Sequence, residues 1–211
     1  MRERLQQLFR EVRDRNVFLV GGGKSFSEYV DINDLQNQVT IAINTAIEVL
    51  PDATAIYWVD ESWASENYDL LQQHSCPLRF TSKHHAQVYI DKNVFGVCNS
   101  TVLRRTGDYG FDPDVDSVRG NNSGAQVLNL IANLRPKNII LLGYDMKVGH
   151  WHNRGKLPIK ESIYSEQFVP SIASMAKEME EKRPGISVIN GSPISALGCF
   201  PFGEYRDFLE N

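Results

Sequence analysis

The sequence predicts an α/β protein of the Rossmann-like class, with a mostly parallel sheet and helices on both of its faces. Short apolar segments alternate along the chain with segments of helical periodicity, an order typical of parallel α/β sheets. The apolar segments lack the polar alternation of half-exposed strands, as expected when both faces of a sheet are covered. Several of them end in glycine, asparagine or aspartate, and ligands of such sheets bind at the carboxyl ends of strands.

Each predicted element follows either from a short apolar segment or from apolar residues at helical spacing. The apolar segments predict strands at residues 16–20, 39–43, 55–59, 78–81, 138–142 and 186–189. Apolar residues at helical spacing predict helices at about 2–14, 62–73, 123 onward, 166–181 and 204–209. The pattern is weaker in the middle of the chain, where we expect candidate strands at 88–90 and 94–97 and a loop at 107–114.

Composition and charge indicate a globular protein of one domain, residues 1–211. Hydrophobic residues make up 42% and charged residues 23% of the 211 residues, which suits a folded core. The net charge of −4 disfavours binding of nucleic acid through charge alone. The 3 cysteines form no CxxC pair, which favours a reducing cytoplasm. No apolar run reaches the roughly 20 residues of a membrane helix, so we expect no membrane partner.

A glycine-rich turn, Gly21–Ser25, follows the first predicted strand. Glycines let backbone N–H groups approach a phosphate or ribose closely, and Ser25 suits a helix cap or a phosphate donor. The turn matches neither the P-loop GxxxxGK(S/T) nor a full GxGxxG pattern. It predicts nucleotide contact, and the alternative is a tight strand-to-helix turn without a ligand.

A second polar turn, Gly120–Gly124, opens the central predicted helix. Asparagine and serine are good N-cap residues, which explains one of its side chains. Two asparagines, a serine and two glycines exceed what capping needs, and a helix N-terminus with free amides binds anions. We therefore expect this turn to contact the ligand as well.

Two carboxylates, Asp60 and Asp145, end predicted strands. A carboxylate at this position binds a ribose hydroxyl or a metal, or acts as a base. The alternative is a helix cap or turn former, which is as well supported for Asp60. Asp145 precedes the polar stretch 146–165, so we predict a functional role for it and count it among the candidate catalytic residues.

The stretch 146–165 is the predicted active-site loop. It contains His150 and His152, whose spacing permits a metal pair in an extended segment. With no clear further ligand, a single histidine acting as general acid or base is the favoured interpretation, and the alternative is two loop histidines without function. Arg154 and Lys156 are candidate partners of a leaving phosphate, or surface charges.

These residues together resemble a known family. Val20–Phe26 followed by Ile43-Asn44, then Asn122–Gly124 and Ile140–Met146, resemble in order and spacing the family 42 bacterial sialyltransferases. They also resemble the related family typified by the archaeal-type 6-hydroxymethylpterin pyrophosphokinase. The resemblance spans about residues 16–200, and a small stand-alone version of this kind is typical of phage and prophage proteins.

The resemblance implies a Rossmann-like sheet that holds a nucleotide in its crevice. The residues it implies for nucleotide binding are Gly22, Gly23, Ser25, Asn44, Asn122, Ser123 and Gly124, with Gly143 and Asp145 beside the base or ribose. Lys24 replaces the family's usual proline and adds a charge toward phosphate, while Asp60 is the further nucleotide candidate. The family's catalytic histidine corresponds to His150 or His152. The paired tyrosines that grip the leaving phosphate in the sialyltransferases have no evident counterpart after Asp145.

We expect the protein to be a transferase that uses a nucleotide-activated donor, and a glycosyltransferase is the favoured interpretation. It would take a CMP- or UDP-linked sugar and a small-molecule or glycan acceptor, with nucleic acid as the less favoured acceptor. One alternative is a Mg²⁺-dependent ATP pyrophosphokinase for a pterin-like alcohol, with Asp60 and Asp145 on the metal. Another is a nucleotide-binding protein without catalysis. The N-terminal helix, residues 1–15, suits packing on its own sheet or on a second subunit of a homo-oligomer.

Overall fold

The fold is an eight-stranded parallel sheet with helices around it. The computed structural model describes residues 2–83, 99–150 and 160–210. In this part of the chain the 8 strands lie in the order β6-β5-β4-β3-β2-β1-β7-β8, and every neighbouring pair is parallel. The strands are β1 Asn16–Val20, β2 Val39–Ile43, β3 Ala55–Trp58, β4 Arg79–Lys83, β5 Thr101–Gly107, β6 Ser117–Arg119, β7 Asn138–Leu142 and β8 Ser187–Asn190. The predicted fold class is confirmed.

Helices cover both faces of this sheet. The helices are α1 Arg2–Val12, α2 Lys24–Tyr29, α3 Glu61–Glu66, α4 Tyr68–Gln73, α5 Ser123–Asn133, α6 Glu161–Ile163 and α7 Val169–Lys182. Tyr57 of β3 donates a hydrogen bond to Gln126 of α5, while the next residue, Trp58, lies beside Trp63 of α3. Since successive side chains of a strand point to opposite faces, α5 and α3 lie on opposite sides of the sheet.

The strand order reverses its direction between β1 and β7. From β1 the chain moves outward through β2 to β6, and it then returns to place β7 on the other side of β1. A switch point of this kind opens a crevice at the carboxyl ends of the strands. The glycine turn 21–25 and the segment 143–145 both lie at this point.

Several predicted elements needed correction. The middle of the chain contributes β5 and β6, which were not predicted because Arg104, Arg105 and a register shift interrupt the apolar pattern. The candidate strands at 88–90 and 94–97 lie outside the described residues. The helix predicted at 62–73 is two helices that meet at Asn67, whose side chain donates to the carbonyl of Trp63 at 2.8 Å.

The predicted active-site loop is shorter than expected at its end. Helical structure begins at Glu161 rather than at residue 166, and it passes through a π-helical segment, Tyr164–Phe168, into α7. The C-terminal helix is a short 3₁₀ segment, Tyr205–Phe208.

The apolar stripe of α1 packs inside the chain. Leu5, Leu8 and Val12 are buried and belong to the same hydrophobic core as the strands. The amphipathic pattern of this helix is thus satisfied without a second subunit. No helix in the described ranges has both the length and the apolar character to cross a bilayer.

Candidate functional site

A cleft of about 270 Å³ lies at the switch point, at the carboxyl ends of β1, β2, β3 and β7. Its lining contains nine of the residues predicted from the sequence, which are Gly22, Gly23, Asn44, Asp60, Asn122, Ser123, Gly124, Gly143 and His150. Three other predicted residues do not line it, namely Lys24, Ser25 and Asp145. His152, Arg154 and Lys156 lie outside the described residues.

The glycine turn is locked against the loop after β7 by backbone contacts. Gly21 N–H donates to the carbonyl of Leu142 and Gly23 N–H to that of Gly143, both at 2.8 Å. A Cβ on Gly21 would lie 2.9 Å from the oxygen of Gly143, and one on Gly23 would overlap the same oxygen. Gly143 itself has a left-handed φ of 66°. The close approach of two backbones therefore explains these glycines, although they also line the cleft, as Gly22 does.

Ser25 and Asp145 form a buried pair beneath the turn. The backbone N–H of Ser25 donates to Asp145 Oδ2 at 2.9 Å, and its hydroxyl donates to Oδ1. Ser25 and Asp145 are only 1% and 3% exposed. The structure thus places the predicted phosphate donor and the predicted catalytic carboxylate on each other instead of on a ligand.

Lys24 does not line the cleft. Its ammonium lies 3.3 Å from Glu28 one helical turn on, and its side chain is 63% exposed. The sequence-based expectation of a charge directed toward phosphate is therefore not met by this geometry.

We expect Lys24→Ala to leave nucleotide affinity within about twofold of the wild-type value, because an exposed i,i+4 ion pair contributes little. Isothermal titration with the nucleotide that binds the wild-type protein would test this. A loss of tenfold or more would place Lys24 back in the site.

The N-terminus of α5 forms one wall of the cleft. Asn122 is its N-cap and accepts the Ala125 N–H at 2.9 Å. Helix geometry leaves the amides of Ser123 and Gly124 without an intrahelical partner, and both residues line the cleft. Tyr144 supports this end of the helix, since its hydroxyl donates to the carbonyl of Gly124 at 3.2 Å. The wall therefore presents free donors and the positive end of the helix dipole.

Asn44 and Asp60 bring the ends of β2 and β3 to the cleft. Asn44 has a left-handed φ of 51°, and its side-chain oxygen accepts the Ser123 hydroxyl at 3.3 Å. Asp60 is the N-cap of α3, and its Oδ1 accepts the amides of Ser62 and Trp63. Asp60 thus both caps α3 and lines the cleft. Its Oδ2 accepts no hydrogen bond from the described residues.

His150 and Tyr164 form a hydrogen-bonded pair in the cleft. The imidazole Nε2 lies 3.0 Å from the Tyr164 hydroxyl, and His150 forms an antiparallel bridge with Gly23. Burial of the ring lowers the pKa of His150, and the Asp145 carboxylate opposes that change. Burial also raises the pKa of Tyr164, to which Asp145 adds. Although the ring is partly enclosed, His150 as a whole is exposed. A substrate in the cleft can therefore reach the imidazole.

The π-helical segment supplies residues that the sequence did not predict. Tyr164 and Phe168 both line the cleft and meet edge to face with ring centroids 5.4 Å apart. Asn121 anchors the segment by donating to the carbonyl of Gln167 at 2.9 Å. Such π-helical turns often occur at functional sites. Tyr164 falls within the predicted active-site loop, but no motif marked it.

Lys147 is the second unpredicted residue with chemical capacity. It lies in the loop after β7, is exposed, and lines the cleft together with Tyr144 and Met146. A cation in the same cleft lining as the N-terminus of α5 suits an anionic ligand. Its position two residues after Asp145, at a strand end, was the only sequence signal for it.

No known family model matches the chain, and no curated protein shows a significant match. Histidine, cysteine, aspartate and glutamate side chains of residues 2–83, 99–150 and 160–210 form no cluster of three or more around a candidate metal position.

Proposed function

We propose that the protein transfers a sugar from a nucleotide-activated donor to a hydroxyl acceptor. The observation that carries this proposal is the cleft lining, where the His150–Tyr164 pair shares one cavity with the N-terminus of α5. The helix terminus is suited to a phosphate, and the imidazole is suited to proton transfer. A site with both elements can bind an activated donor and also assist its reaction.

The donor phosphate binds at the N-terminus of α5 in this proposal. The amides of Ser123 and Gly124 donate to its oxygens, with Gly22 in the same lining and Lys147 adding a positive charge. Asp60 Oδ2 accepts a ribose hydroxyl at the end of β3. A nucleoside linked through one or two phosphates to a sugar meets each of these groups.

His150 acts as the general base on the acceptor. Because burial lowers its pKa, the imidazole is neutral near pH 7 and can take a proton, whereas an acid role would need the charged form. The acceptor oxygen forms a bond to the anomeric carbon as the bond from that carbon to the phosphate oxygen breaks. The hydroxyl proton passes to His150, and the nucleotide leaves with the bonding electron pair and its phosphate.

Two contacts favour sugar transfer over metal-dependent pyrophosphoryl transfer. That alternative requires Asp60 and Asp145 to hold Mg²⁺ together, but both oxygens of Asp145 accept hydrogen bonds from Ser25. Breaking these bonds beneath a closely packed turn would expose a buried carboxylate and its donors. A protein that only sequesters nucleotides would have no need for the His150–Tyr164 pair.

A ligand panel tests the proposal directly. Thermal unfolding is measured with CMP, CDP, UDP, GDP, ATP and CMP- or UDP-linked sugars, each with and without Mg²⁺ or Mn²⁺. A ligand at 100 times its dissociation constant stabilises the fold by roughly 2.7 kcal/mol. Stabilisation by CMP or UDP, followed by release of the nucleotide from its sugar when an acceptor is added, is the expected result. A response to ATP only with Mg²⁺, or no response at all, would overturn the proposal.

Lys147→Ala should weaken binding of the stabilising nucleotide roughly twofold to fivefold, because one exposed cation near a phosphate is lost. The difference between variant and wild type should shrink at high salt, since a solvent-exposed charge pair is screened. Titration calorimetry at two salt concentrations measures both effects. Lys177→Ala, an exposed lysine on α7, is the matched control, and equal affinities for the two variants would remove Lys147 from the site.

A further inference from the structure

We propose that Asp145 is a positioning residue, which with Ser25 holds the glycine turn and His150 in their working arrangement. This inference rests on the proposed function, because the arrangement matters only if the cleft binds and turns over a nucleotide donor. It replaces the role of Asp145 as a catalytic group that the sequence predicted.

Asp145 is held through both its carboxylate and its backbone. Ser25 supplies a donor to each of its oxygens, and the Asp145 backbone carbonyl accepts the Ala196 N–H at 2.9 Å. The Asp145 Cγ lies 2.6 Å from the point where a Cβ of Gly23 would stand. The side chain therefore packs directly under the turn and ties the start of α2 to the end of β7.

The same segment delivers His150 to the cleft. Between Asp145 and His150 the chain turns back through left-handed residues at Met146 and Gly149. It then pairs His150 with Gly23, the residue that packs on Asp145. A shift of Asp145 would consequently move the glycine turn and the imidazole together.

The charge of Asp145 acts on the proton-transfer pair. Of the described groups that face His150, Asp145 comes from the same loop and Tyr164 from the π-helical segment, and Lys147 lines the cleft beside them. The Asp145 carboxylate raises the pKa of His150 and that of Tyr164. It thereby limits how far burial lowers the pKa of the imidazole, and keeps the base strong enough to take a hydroxyl proton.

Two substitutions separate charge from geometry. Asp145→Asn keeps the shape of the side chain and removes its charge, whereas Ser25→Ala keeps the charge and removes one of its donors. Ser27→Ala is the matched control, because Ser27 lies on the same helix but donates only to the exposed carbonyl of Lys24. The pKa of His150 is measured by NMR titration of its ring, and nucleotide affinity by calorimetry.

In Asp145→Asn we expect a lower His150 pKa than in the wild type, and an acid limb of the rate profile displaced to lower pH by the same amount. In Ser25→Ala we expect the pKa of His150 to equal that of the wild type. Nucleotide affinity should fall about tenfold, because the glycine turn loosens. Ser27→Ala should match the wild type in both. A merely structural role would lower stability without moving the titration of His150.

An unchanged His150 titration in Asp145→Asn together with wild-type affinity in Ser25→Ala would overturn the proposal. Should Asp145→Asn fail to fold, Ser25→Ala still tests the proposal. Wild-type nucleotide affinity in Ser25→Ala would show that Ser25 does not hold the glycine turn in place, which overturns the proposal. Failure of the proposed function has a different signature: the wild-type protein then binds no nucleotide, while the titration of His150 still reports the charge of Asp145.

Discussion

Replacing Gly23 with alanine is expected to lower the free energy of unfolding by about 2–3 kcal/mol. The new Cβ would overlap the carbonyl oxygen of Gly143 and stand 2.6 Å from Asp145 Cγ. Neither neighbour is a flexible side-chain end. Gly143 follows β7, whose last residue accepts the Gly21 N–H, and Asp145 is held by Ser25. Relief of the overlap therefore requires β1 and β7 to separate at their carboxyl ends.

Gly198→Ala is the matched control for this loss. Nothing lies within 4 Å of a Cβ at Gly198, and its backbone is not in the left-handed region. The same substitution there should change stability by less than about 0.5 kcal/mol. Urea unfolding of both variants provides the comparison. Equal stabilities would mean that the close approach of the two loops is not a constraint on the fold.

The packing around Gly23 also bears on how glycine-rich turns are interpreted. The sequence pattern alone suggests that each glycine makes room for a phosphate. In this structure Gly21 and Gly23 make room for the carbonyl oxygen of Gly143, whose own φ is left-handed. All three glycines of the turn line the cleft, but the contact with the Gly143 oxygen is described only for Gly21 and Gly23. Gly22 is therefore the turn residue that best fits the sequence-based interpretation.

The fold and the location of the cleft were predictable because they depend on local patterns. Buried parallel strands are continuously apolar, and polar residues at their ends converge at one edge of the sheet. Asn44, Asp60 and Gly143, which follow predicted strands, could thus be placed near each other from the sequence alone, and all three line the cleft. Strands β5 and β6 were missed because an edge region tolerates arginine and a register shift, which destroy that pattern.

The partners of individual side chains could not be predicted. Ser25 and Asp145 are 120 residues apart, and no periodicity relates them, so each seemed free to meet a ligand. Tyr164 was missed for a related reason. Its direction depends on a π-helical turn, which rotates the following residues relative to an α-helix and has no reliable sequence signal.

His150→Gln is expected to lower kcat/KM about 10²–10⁴-fold, the usual contribution of a general base. Nucleotide affinity should change less than about threefold, because the phosphate contacts lie on the N-terminus of α5. Tyr164→Phe removes the hydroxyl at 3.0 Å from Nε2 and should cost roughly tenfold in kcat. Tyr29→Phe, an exposed tyrosine outside the cleft, is the control for the loss of a hydroxyl.

The pH profile decides whether His150 acts as a base or an acid. Burial lowers its pKa below the ordinary 6.5, so the neutral form predominates above that lowered value. A base then loses activity as the pH falls through the lowered pKa, whereas an acid would lose activity as the pH rises through it. We expect the first profile in the wild type and no such limb in His150→Gln. An acid limb that persists in the variant would assign the base to another residue, and wild-type turnover in the variant would remove His150 from the reaction altogether.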